Sequence, residues 1–134
     1  MRNTTKQKIF KDIKAKGCTI KYIAGKSYKI MYKSHCVDYL IIQNAENNTL
    51  YSEFKRTFIT MNTLSKCIDE AKLFDKTFDY MQQAKEANSV QQKIEILENA
   101  DITKYSHLED YEYLSKEIER LLNQAYNSKF IQSL

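Results

Sequence analysis

The chain predicts an α+β fold: an N-terminal helix, a mostly antiparallel four-stranded sheet, then helices packed on it, with an all-helical C-terminal half. Three observations lead there. Apolar residues recur at helical spacing before Gly17, two-residue alternation takes over from Cys18, and helical spacing returns near Met61 and persists to the end. With 134 residues, no proline and no Gly/Ser-rich stretch, one compact unit is expected. It divides into a basic α/β part, residues 1–72, and an acidic helical extension, residues 73–134.

The first helix is expected from about Thr5 to Lys16. Thr4 or Thr5 can cap it, Ile9, Phe10 and Ile13 form its apolar stripe, and Gly17 supplies a left-handed stop. Cys18 to Ile23 and Ser27 to Lys33 flank Ala24-Gly25-Lys26, the pattern of a hairpin. On the return strand Tyr28, Ile30 and Tyr32 take one face and Lys29, Met31 and Lys33 the other. Val37 to Gln43 is apolar enough for a central strand. Asn44 to Asn48 reads as a polar turn, and Thr49 to Lys55 as the fourth strand.

The helical half opens with the stripe Leu64, Cys67, Ile68 and Ala71, and Phe74, Phe78 and Met81 mark a helix after it, with no clear boundary between the two. Ser89-Val90-Gln91-Gln92 has the form of a capping box. Leu108 to Tyr126 then presents Tyr111, Leu114, Ile118, Leu121, Leu122 and Ala125 along one side. Such a stripe serves a core or a homodimer surface.

The net charge of +4 conceals an asymmetry. Residues 1–66 carry 13 Lys and Arg against 4 acids, whereas residues 67–134 carry 8 against 13. A basic half built on strands suits a polyanion, and DNA is the expected partner, although a solvated lysine surface has the same composition. No run approaches the roughly 20 apolar residues of a membrane span, so no membrane partner is expected. Residues 1–16 hold no apolar core of signal-peptide length. Cys18, Cys36 and Cys67 lack CxxC spacing, which points to thiols in a reducing, cytoplasmic compartment. His35 and His107 are far apart, which disfavours structural zinc. Two glycines rule out a glycine-rich phosphate loop. His35 and Cys36 are strand neighbours pointing oppositely, so they do not form a nucleophile–base pair.

One constellation carries chemistry. On a strand, Glu53 and Lys55 share a face, and Asp38 on the neighbouring strand joins them. Two carboxylates and an ammonium at one spot suit a metal-dependent phosphodiesterase. The same residues also read as an exposed Glu53–Lys55 ion pair with Asp38 at a strand end.

The order helix, hairpin, strand led by Asp38, turn, strand with Glu53-Phe54-Lys55, helix resembles the PD-(D/E)xK nuclease superfamily. It looks most like the small Holliday-junction-resolvase-like and VRR-NUC-type members, over about residues 4–72. The resemblance implies a hydrolase in which Asp38 and Glu53 bind Mg²⁺ or Mn²⁺ and Lys55 is the catalytic lysine. Branched DNA or DNA ends would be its substrates. Lys21, Lys26, Lys29, Lys33 and Arg56 would grip the phosphate backbone, and Tyr22, Tyr28 and Tyr32 would offer stacking surfaces. Two other readings stand beside the nuclease. One is a non-enzymatic module that binds nucleic acid through its basic sheet. The other is an interaction protein of mobile-element type, docking a host protein through its acidic helices.

Overall fold

A computed structural model describes the backbone of residues 4–44 and 49–134. The fold is α+β, with the element order helix, five strands, then helices. The turn expected at Asn44 to Asn48 falls mostly outside the described residues, as do the side chains of Thr4 and Thr5 proposed as caps.

Helix α1 (Thr4–Ala15) buries Ile9 and Ile13, one turn apart, and half-buries Phe10. Gly17 ends it with φ +91°, and its amide donates to the Lys14 carbonyl at 3.0 Å. A Cβ at Gly17 would meet the Tyr32 ring at 3.4 Å, an ordinary contact, so the constraint is the backbone itself. Gly17→Ala should therefore lower stability by about 1–2 kcal/mol, the usual penalty for an L-residue in the left-handed region. Urea unfolding checks this, and an unchanged midpoint would show that the chain leaves the helix without that conformation.

Five strands follow: β1 (Thr19–Ala24), β2 (Ser27–Tyr32), β3 (His35–Asn44), β4 (Thr49–Ser52) and β5 (Thr57–Ile59). They form one antiparallel meander in the spatial order β1-β2-β3-β4-β5. Gly25, at φ +56°, and Lys26 make the first turn. Lys33, at φ +51°, and Ser34 make the second.

The fourth expected strand is a correction. Thr49 to Lys55 is not continuous, because pairing stops at Ser52, Glu53 to Arg56 turn, and β5 returns. The sequence hides this turn, since it has no glycine, proline or asparagine. Its left-handed residue is Arg56, at φ +55°.

Two compact units divide the chain, Met1–Ala71 and Lys72–Leu134, with helix α2 (Met61–Glu86) contributing to both. In the first, Leu64 and Ile68 of α2 join Ile9 and Ile13 of α1 over Tyr28, Ile30, Leu40, Ile42, Leu50 and Ile59 of the sheet. In the second, Leu73 and Ala84 of α2 join Leu97 of α3 (Val90–Glu98) and Leu114 and Ile118 of α4 (Tyr111–Ser133). Most of the Leu108–Tyr126 stripe thus serves a core. One half of the expected capping box is present at α3: Ser89 accepts the Gln92 amide at 3.1 Å, while the Gln92 side chain accepts the amide of Asn88, one residue before the cap, at 2.8 Å.

Candidate functional site

Asp38 lies where a β-bulge changes the direction of side chains. Met31 pairs with Cys36 and Ile30 with Asp38, leaving Val37 as the extra residue. Val37 and Asp38 are consequently both buried, although they are adjacent in sequence. Asp38 retains about 1% of its exposure, among the apolar residues between sheet and helices.

Each of its carboxylate oxygens is held. One accepts the Ser52 hydroxyl. The other accepts the backbone amides of Tyr39 at 2.7 Å and Phe54 at 3.2 Å. Ser52 in turn accepts the Lys55 amide at 3.0 Å. These bonds hold the β4–β5 turn from within, replacing the turn signals that the sequence lacks.

Glu53 and Lys55 are accordingly not strand neighbours on a shared face. Both are exposed residues of that turn, whereas Asp38 is enclosed. The two amides fill the acceptor capacity of one Asp38 oxygen, and the other is shared with the Ser52 hydroxyl. Among the described residues, no three His, Cys, Asp or Glu side chains gather into a group able to hold a metal. No step through such an ion follows from this donor set.

The nearby thiols are subdued. Burial pushes the Cys67 thiol up, opposed by the Lys55 ammonium and reinforced by Asp38 and Glu70. Burial likewise raises Cys36, with Lys29 opposing. None of the three cysteines is disulfide-bonded.

A different set of side chains occupies the outer face of the sheet. Strand register places Lys21, Lys29 and Tyr39 in one row across β1, β2 and β3, because Lys21 pairs with Lys29 and Lys29 with Tyr39. A second row runs Ser27, Ile41, Tyr51 and Phe58 across β2 to β5. The Lys29 ammonium sits 5.7 Å from the Tyr39 ring centre. Phe54, in the turn, packs on Tyr39 at 5.9 Å between centroids, and Tyr51 packs on Phe58 at 5.3 Å. Both ring pairs are edge-to-face, the favoured aromatic geometry. Phe54 is 57% exposed and Phe58 54%. No acid is among the strand-paired residues of these rows, but Glu53, the residue after Ser52, donates its amide to the Tyr39 carbonyl at 3.0 Å and so stands beside the end of the first row.

The five expected backbone-gripping cations separate by position. Lys21 and Lys29 lie on the outer face. Lys26 is in the β1–β2 turn at one end, while Lys33 and Arg56 occupy turns at the opposite end of the meander. The expected stacking tyrosines are largely on the wrong side. Tyr28 is buried beneath Phe10, and Tyr22 packs against Tyr28. Tyr32 packs on the helix-covered core. Tyr39, Tyr51, Phe54 and Phe58 were not singled out. Their signal was strand alternation: Tyr39 between Asp38 and Leu40, Tyr51 between Leu50 and Ser52, Phe58 before buried Ile59.

Comparison of the chain with protein-family models, curated proteins and solved structures returns no match. Among the described residues, no helix is long and apolar enough to cross a membrane.

Proposed function

We propose that this protein is a non-enzymatic nucleic-acid-binding module working through the outer face of β1 to β5. One observation carries the reading: Lys21 and Lys29 share a register row with Tyr39 on the outer face, with Glu53 beside Tyr39 at the far end of that row from the two lysines. Ammonium groups there neutralise phosphates and release condensed counterions, which supplies affinity without reading sequence. The excess of basic over acidic residues in positions 1–66 draws the polyanion to this unit. DNA is the partner proposed from the charge pattern.

The test is fluorescence anisotropy of labelled DNA from 50 to 200 mM salt, with and without a chelator. Two phosphate contacts, at Lys21 and Lys29, imply binding roughly seven- to twelvefold weaker over that range. The chelator should change nothing. Absence of binding at the lowest salt would overturn the proposal. Cleavage that requires Mg²⁺ or Mn²⁺ and disappears in Lys55→Ala would replace it with the nuclease reading, in which Asp38, Glu53 and Lys55 are the working residues.

A further inference from the structure

The two halves of the outer face differ in chemistry. Cations line β1 and β2, whereas rings line β3 to β5. Phosphates account for the first half only. More than half of Phe54 and of Phe58 is left in water. Grouped exposed rings of this kind mark binding surfaces more often than accidents.

We infer that the ligand of this face is an unpaired polynucleotide whose bases stack on the Tyr39–Phe54 and Tyr51–Phe58 ring pairs. The inference rests on the nucleic-acid reading above and names its substrate class. Two dimensions favour an unpaired strand over a duplex. Five strands at about 4.8 Å spacing make a face roughly 19 Å wide, whereas the major groove is about 12 Å wide and admits a helix or a two-stranded ribbon. A duplex also keeps its base faces stacked on one another, so it would meet the lysines and leave the rings idle.

An unpaired strand uses both halves. With its phosphates along Lys21 and Lys29, its bases extend toward β3, β4 and β5. The Tyr39 and Ile41 rows lie two residues apart along β3, about 6.6 Å, or close to two nucleotide rises of about 3.4 Å. The planes within each pair stand at 71° and 77°, so each pair is braced edge-to-face, which covers one face of one ring and leaves the other ring's faces clear of its partner. Stacking is indifferent to base identity because every base has a π-face. The module therefore tolerates any sequence.

The experiment compares four labelled probes of equal phosphate number at low salt: oligodeoxythymidine, oligouridine, an abasic deoxyribose-phosphate strand, and a duplex hairpin. The base-bearing single strands should bind more tightly than the abasic strand and the duplex. Phe54→Leu and Phe58→Leu, both at exposed positions, should each weaken the base-bearing strands roughly five- to hundredfold and leave the abasic strand unchanged. Because the chain has no tryptophan, Phe58→Trp installs a single reporter, and its emission should be quenched by oligodeoxythymidine.

Equal affinity for all four probes, with the leucine variants unaltered, would overturn stacking while leaving nucleic-acid binding in place. Failure of all four probes to bind would overturn that earlier reading as well. A change in self-association alone, read by light scattering of Phe58→Leu, would give the face to a second copy of the chain and refute the inference.

Discussion

Replacing Asp38 with alanine should lower stability by about 3 kcal/mol or more, a large part of the roughly 5–15 kcal/mol that holds an ordinary domain together. The substitution strands the fully buried Ser52 hydroxyl and takes an acceptor from the Phe54 and Tyr39 amides. Each buried polar group left unpaired costs about 1–3 kcal/mol. A drop of this size moves the urea midpoint by roughly 1–3 M.

Ser52→Ala should cost less by itself, and the double variant less than the sum of the two, because both residues serve one network. Asp38→Asn keeps one carbonyl acceptor but presents an amide to the remaining donors, so its stability should fall between wild type and alanine. An Asp38→Ala protein as stable as wild type would refute the structural role. If that variant had also lost a metal-dependent cleavage activity, Asp38 would be a catalytic residue.

Charge reversal on the outer face should have the largest effect on binding. Lys21→Glu combined with Lys29→Glu should weaken single-stranded nucleic acid at least about tenfold near 50 mM salt. It should also flatten the dependence of log affinity on log salt by about 1.4, at roughly 0.7 for each phosphate contact removed from a single strand. Lys29→Glu additionally removes the ammonium beside Tyr39, a contact worth about 0.5–1 kcal/mol at an exposed site. Lys116→Glu, on exposed α4 surface, is the matched control and should leave both affinity and slope alone. Identical slopes for the two proteins would show that phosphates do not lie along β1 and β2.

Much of the fold was legible because its signals are local. Ile9 and Ile13 lie four apart, Gly17 and Gly25 accept positive φ readily, and Ser89 caps the Gln92 amide three residues on. The β4–β5 hairpin was not. Ser52-Glu53-Phe54-Lys55-Arg56 reads as more strand, and what bends it is Asp38, 14 and 16 positions earlier. For the same reason the acid-x-lysine triplet misled, since its strand context was the premise that put Glu53 and Lys55 on one face.

Residue order alone determined the α+β class, the basic and acidic halves, and part of the core, such as Ile9, Ile13, Leu64 and Ile68, because spacing and composition act over a few residues; it did not mark Phe74 and Phe78 as exposed. Tertiary structure decided the rest. A bulge at Val37 turned that side chain inward beside Asp38, which shares the inner face with Leu40 and Ile42, and the meander brought Lys29, Tyr39, Tyr51, Phe54 and Phe58 from separate segments onto one face. Register across strands is a relation between distant residues, and no single segment contains it.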